Sequence, residues 1–148
     1  MRHLYVFDFD GTISRTKFPR PHTPVNLADA LKVMDPRRVS LDLPRWSVIR
    51  WMRHIKLYAG RDTDIFILTG RPEAARSLTE AWLQVHGVPY DVMTMVGEPT
   101  CAPTHEKKRA LLSEWKTSYS STLMIDDDPG VGTVCAELGI GFVNATDM

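Results

Sequence analysis

Cysteine is scarce in this chain: Cys101 and Cys135 are the only two among 148 residues, with no CxxC spacing and no matching histidine pattern. That argues against a disulfide-stapled scaffold and against a zinc site. Free thiols in a reducing cytoplasm are the simple expectation. Long hydrophobic runs are missing as well. No stretch approaches the roughly 18 apolar residues of a membrane-spanning helix, so no membrane partner is expected. Met1-Arg2-His3 leads straight into an apolar segment that is too short for a signal h-region and is broken by acids, so no export signal is expected either. Net charge is formally zero, but residues 1–74 carry 13 Lys/Arg against 8 Asp/Glu, and residues 75–148 carry 5 against 10. A basic half suits a polyanionic partner or merely a solvated face. Internal repeats, low-complexity tracts and the P-loop of kinases are all absent from the sequence.

What is present is an alternation of strand and helix signals over a length that fits one domain, residues 1–148. Apolar runs at Leu4–Phe7, Asp64–Leu68, Val92–Val96, Thr122–Ile125 and Gly141–Val143 read as strands. Between them, Val48, Trp51, Met52, Ile55 and Tyr58 recur at helical spacing, as do Leu78, Ala81, Trp82 and Val85 after Pro72. Glu106–Trp115 and Val131–Leu138 are two further helix candidates. Strands that are apolar throughout, alternating with helices, predict an α/β fold with a mainly parallel sheet covered on both faces. Residues 13–44 are the exception: Pro19, Pro21, Pro24, Pro36 and Pro44 mark a long, mostly irregular excursion, with a short helix expected around Leu27–Met34.

Three of the apolar runs end in polar groups: Asp8-Phe9-Asp10-Gly11-Thr12, Thr69-Gly70-Arg71 and Asp126-Asp127-Asp128. Parallel strands bring such ends to one sheet edge, where open α/β sheets bind ligands. Each alone reads as a loop or helix cap, but all three together point to one site. Two carboxylates about 4 Å apart repel by roughly 4 kcal/mol at an effective dielectric near 20, so the cluster calls for a cation. An all-oxygen donor set suits Mg²⁺, which leaves coordination positions for water and phosphate oxygens. A metal beside a carboxylate in turn suits nucleophilic attack on phosphorus. Asp10, two residues on, is in reach to protonate a leaving oxygen and then activate water. Thr69 and the N–H groups of Gly70 and Arg71 lie where a strand gives way to a helix, a position suited to an anion. Lys107 and Lys108 offer the balancing positive charge.

DFDGT at Asp8–Thr12, ILTGR at Ile67–Arg71, a lysine in HEKKRALL and MIDDDP at Met124–Pro129 resemble, in order and spacing, the four motifs of the haloacid dehalogenase (HAD) superfamily. The resemblance implies a Rossmann-like three-layer sandwich, Mg²⁺ and transfer of a phosphoryl group to the first aspartate. It casts Asp8 as nucleophile, Asp10 as general acid/base, Thr69 as the phosphate-binding hydroxyl and Lys107 as the site lysine, with Gly70 and Arg71 beside the phosphate. Asp8, Asp10 and Asp127 become the metal group. Lys108 is equally placed by helical phase, and Asp126 can share or replace the part of Asp127; Lys107 is preferred for its four-residue step to Leu111. The short stretches between motifs leave no room for a large cap domain. An uncapped site implies large substrates such as nucleic-acid ends or proteins, or a lid from another subunit of a homo-oligomer.

Thr69–Met95 is similar to the phosphatase domain of polynucleotide kinase 3′-phosphatases, although Val96 and the loop GEPTCAPTHEK depart from that pattern. This implies a phosphatase of nucleic-acid 3′-phosphate ends, with hydrolysis of free nucleotides or other small phosphomonoesters as the alternative, and a non-catalytic binding domain as a third reading. The Arg45–Lys56 helix suits either core packing with a solvated basic face or a nucleic-acid contact through Trp46. For Arg71 two roles stay open, a phosphate contact or an ion pair with a neighbouring acid.

Overall fold

The computed structural model describes residues 1–16, 42–98 and 102–148. Five strands, β1 (His3–Phe7), β2 (Thr63–Thr69), β3 (Val92–Met95), β4 (Ser121–Asp126) and β5 (Gly141–Asn144), form one sheet in the order β3-β2-β1-β4-β5. All four pairings are parallel, as the continuous apolar runs predict. Among the described residues, four α-helices cover the sheet: α1 (Trp46–Tyr58), α2 (Arg76–Val85), α3 (Thr104–Ser118) and α4 (Pro129–Leu138). A short 3₁₀ turn at Glu73–Ala75 leads into α2, so Pro72 caps that turn rather than opening the α-helix itself.

The period-two alternation of β1 splits its side chains between two cores. Phe7 joins Ile65, Ile67 and Ile125 under Val48, Ile49, Met52 and Ile55 of α1 and Trp82 and Leu83 of α2. Leu4, Val6, Leu68 and Met124 face Leu112 of α3 and Val131, Val134 and Cys135 of α4. The result is three layers, with α1 and α2 on one face and α3 and α4 on the other. Right-handed crossovers account for this, because the chain moves outward from β1 in one direction and then returns to build the other side. The reversal of direction at β1 and β4 creates the switch point at which such sheets bind ligands.

The inward face of α2 differs from the predicted one. Thr79, Trp82 and Leu83 are buried, whereas Ala81 and Val85 are exposed. Thr79 was invisible to an apolar periodicity, yet its hydroxyl turns inward to donate to the carbonyl of Ala75 at 2.8 Å. In α1, Tyr58 also lies outside the expected stripe, 74% exposed, while Trp51 packs edge-on against Tyr5 and Phe7.

The expected helix at Leu27–Met34 and most of the proline-rich excursion lie outside the described residues. Its two ends are described and are tied together. The Arg15 N–H donates to the Leu43 carbonyl at 2.7 Å, the Arg45 N–H donates to the Ile13 carbonyl at 2.8 Å, and Ser14 bridges Pro44 in antiparallel fashion. The described residues hold no cap domain, and none of their helices is long and apolar enough to cross a membrane.

Candidate active site

Sheet register builds the site. Phe7 is level with Ile125 of β4, and the Asp8 N–H extends that ladder by donating to the Ile125 carbonyl at 2.9 Å. The next residues along, Asp8 and Asp126, therefore stand side by side on the face that carries α3 and α4. Asp127 completes the group: one carboxylate oxygen from each of Asp8, Asp126 and Asp127 lies within 4.8 Å of the others.

Lys108 reaches this group from α3. Its Nζ donates to Asp8 Oδ1 at 2.9 Å and to Asp126 Oδ2 at 2.8 Å, and its side chain is 3% exposed. The expectation that Lys107 takes this place is corrected by helix rotation. α3 turns Leu112 fully into the core, with Leu111 and Trp115 only partly buried beside it. Burying such a leucine contributes about 1.5–3 kcal/mol, and the position one turn before Leu112 is 108. Lys107 instead donates to the Glu98 carbonyl at 2.7 Å.

Electrostatics in the group are lopsided. Burial, reinforced by the charge of Asp8, pushes Asp126 well above the usual carboxylate range, against the pull of Lys108. Burial alone would push the Lys108 ammonium down, but Asp126 and Asp8 together hold it above its ordinary value. Asp126 is further fixed by the N–H groups of Asp127 and Asp128, which donate to its Oδ1 at 2.7 and 3.0 Å. Asp128 caps α4 by accepting from the Gly130 N–H at 2.8 Å. Gly11, at φ +79°, closes the approach from β1: a Cβ there would sit 2.3 Å from Asp127 Oδ2.

Asp10 stands apart from the cluster of Asp8, Asp126 and Asp127. The extended chain stops near Asp8, and a turn follows in which the Thr12 and Ser14 N–H groups both donate to the Phe9 carbonyl. Phe9 packs into the core, edge-on to Trp82 with centroids 5.0 Å apart. The Asp10 carboxylate, however, meets Arg71, whose Nε and Nη2 donate to Oδ2 and Oδ1 at 3.0 and 2.7 Å. Of the two roles open to Arg71, the ion pair is the one displayed. Its guanidinium also donates to Asp42 Oδ2 at 3.0 Å and Thr79 Oγ1 at 3.1 Å, and lies 4.2 Å from the Phe9 ring centroid. Sequence reasoning missed Asp42 altogether, since it sits among prolines far from any motif.

Thr69 closes β2 at the same edge, buried, with its Oγ1 accepting from the Arg71 N–H at 3.1 Å. The turn Thr69-Gly70-Arg71 is pinned from β3: the Val96 and Gly97 N–H groups donate to the Thr69 and Arg71 carbonyls at 2.9 and 3.1 Å. A Cβ at Gly97 would fall 2.3 Å from the Gly70 carbonyl oxygen, so only glycine permits this approach. Arg45 supports the first turn from α1, with Nη2 and Nε each donating at 3.1 Å to the carbonyls of Gly11 and Thr12.

No protein-family model and no curated protein matches the chain by sequence. Solved structures do match in shape. A chain of the Pnkp1/Rnl/Hen1 RNA repair complex superposes on 97% of this chain with a TM-score of 0.71 at 23% identity, as does a chain of a second Pnkp1/Rnl/Hen1 complex structure. This chain spans only 42% and 46% of those two. The HAD domain of the effector protein Lem4 from Legionella pneumophila, in an inactive-mutant structure, superposes over 97% of this chain and 85% of its own length, with a TM-score of 0.61 at 15% identity. With its all-parallel sheet, its two helical layers and these likenesses, the chain has the HAD fold, with no cap domain among the described residues.

Proposed function

We propose that this protein is a Mg²⁺-dependent phosphomonoester hydrolase that works through an aspartyl-phosphate on Asp8 and removes 3′-phosphates from nucleic-acid ends. One observation carries the chemistry: one carboxylate oxygen from each of Asp8, Asp126 and Asp127 lies within 4.8 Å of the others, and the buried Lys108 ammonium donates to two of these groups, Asp8 and Asp126. An all-oxygen set of hard carboxylate donors fits a divalent ion such as Mg²⁺. Asp8, Asp126 and Asp127 would hold it. When bound, it supplies neutralising charge that lets an anionic nucleophile approach an anionic phosphoryl group.

The chain's own residues do the rest. An Asp8 oxygen attacks phosphorus and the bond from phosphorus to the leaving oxygen breaks, with Asp10 delivering the proton that oxygen needs. Asp10 then takes a proton from water, whose oxygen attacks the phosphoryl group, releasing phosphate and restoring Asp8. Lys108, held charged by its carboxylate partners, offsets the charge developing on the phosphoryl oxygens. Thr69 accepts from backbone through its oxygen, which leaves its O–H to donate to phosphate.

The nucleic-acid assignment is supported by the shape likeness to chains of RNA repair complexes and by α1. That helix has no acidic residue, and Trp46, Arg50 and Arg53 are exposed along it. Activity on an aryl phosphate is expected to require Mg²⁺ and to vanish in Asp8→Asn; turnover that survives either change defeats the mechanism. Initial rates on a 3′-phosphorylated oligonucleotide are expected to exceed those on the 5′-phosphorylated oligonucleotide and on free mononucleotides. Equal or higher rates on mononucleotides would favour a small-molecule phosphatase instead.

A further inference from the structure

Asp42, at the end of the proline-rich excursion, belongs to a buried ion set with Asp10 and Arg71. The Arg71, Asp10 and Asp42 side chains are 0%, 1% and 1% exposed. Burying three charged side chains is a poor way to gain stability, because desolvation offsets most of the attraction, and hydrophobic groups would pack at least as well. What such a set does supply is direction. The guanidinium is a flat fork with fixed N–H vectors. Asp10 occupies the edge formed by Nε and Nη2, Asp42 takes the second N–H of Nη2, and Thr79 accepts from Nη1. Phe9 covers one face. Asp42 is itself held in place, since Trp82 Nε1 donates to its carbonyl at 3.1 Å and Trp82 packs against Phe9.

We propose that Asp42 is a positioning residue that acts through Arg71 to aim the Asp10 carboxylate at the leaving-group oxygen. The proposal rests on Asp10 serving as general acid, as set out above. Without Asp42 the fork loses one of its carboxylate anchors, and the Asp10 carboxylate turns with the guanidinium that grips it. The chemical consequence is specific. A misaimed acid costs little when the leaving group departs without a proton, and much when it cannot. Asp42 would then tie the excursion's end to the proton-transfer half of the reaction, apart from the group around Asp8.

The test compares kcat/KM, which reads the steps up to departure of the leaving group and not the later hydrolysis in which Asp10 acts as base, for p-nitrophenyl phosphate, whose leaving group is a stable anion, and for a 3′-phosphorylated oligonucleotide or another alkyl phosphate. Asp42→Asn is expected to lower the alkyl-phosphate rate roughly 10-fold more than the p-nitrophenyl rate, within the range general acid catalysis supplies. Partial unfolding lowers both rates equally, so the ratio is insensitive to it. Asp42→Glu, which keeps the charge, is expected to restore part of the ratio. If Asp10→Asn shows the leaving-group discrimination and Asp42→Asn does not, the positioning role is overturned while the hydrolase reading stands. If Asp10→Asn shows no discrimination, the acid role falls and this inference falls with it.

Discussion

Replacing Lys108 with methionine removes the one buried cation of the described residues that contacts Asp8 and Asp126, and keeps most of the side chain's volume. At 2.9 and 2.8 Å each contact is worth about 6 kcal/mol of gross attraction in an effective dielectric near 20. The three carboxylates, within 4.8 Å of one another, repel by at least about 3.5 kcal/mol per pair on the same scale. Lys108 thus balances the mutual repulsion, apart from the cost of burying it. Breaking a buried ion set by deleting one partner typically costs about 3–5 kcal/mol. Lys108→Met is therefore expected to melt at a lower temperature in chelator, and to recover more than the wild type when Mg²⁺ is added, because the ion then takes over the neutralisation that Lys108 supplied. On p-nitrophenyl phosphate with saturating Mg²⁺, kcat is expected to fall roughly 10²–10³-fold, the scale of removing one donor to a developing oxyanion. Lys107→Ala is the matched control, since its ammonium reaches a backbone carbonyl, and its rate is expected to change about twofold at most, as surface changes do. A silent Lys108→Met beside an inactive Lys107→Ala would refute both the helix rotation and the electrostatic argument.

Two other outcomes follow from local geometry. Gly11→Ala places a Cβ 2.3 Å from Asp127 Oδ2 at a φ of +79°, so activity is expected to be lost and stability to fall by about 1–3 kcal/mol, read as a lowered denaturation midpoint; an unchanged midpoint with full activity would contradict the described turn. Tyr119 donates to Asp64 at 2.7 Å, and burial with that bond pushes its hydroxyl up to about 12. A raised folded value means the folded state holds the proton more tightly, so this contribution is complete below about pH 10 and is lost as pH rises toward 12. Urea midpoints of the wild type are expected to drop more steeply across that window than those of Tyr119→Phe, by well under the full ~1.4 kcal/mol per pH unit because the ring is partly exposed; identical slopes would remove the Tyr119–Asp64 bond as a source of stability.

The architecture and the location of the site were legible in the residue order. Apolar runs at Leu4–Phe7 and Thr122–Ile125 name buried parallel strands without reference to their neighbours, because a strand covered on both faces needs apolar residues at every position. The acids that end those runs must then meet at one edge, as Asp8, Asp126 and Asp127 do. Thr69 likewise falls at that edge because it ends β2.

Residue order was silent on side-chain partners. Lys107 and Lys108 differ by about 100° around α3, and the choice depended on whether Leu111 or Leu112 points at the sheet. Asp8 and Asp10 share a strand parity in the sequence, but the turn at Phe9–Thr12 separates them and gives Asp10 to Arg71. Thr79 and Asp42 carry no signal of their own and acquire a role only through the buried guanidinium between them. Covalent order and side-chain polarity suffice to say which segments bury and which ends converge, since those follow from water and strand geometry alone. Which charge faces which depends on helix rotation and on turns settled by the packing of the whole core, and DFDGT accordingly places one aspartate in a carboxylate cluster beside Lys108 and the other in an arginine's grip.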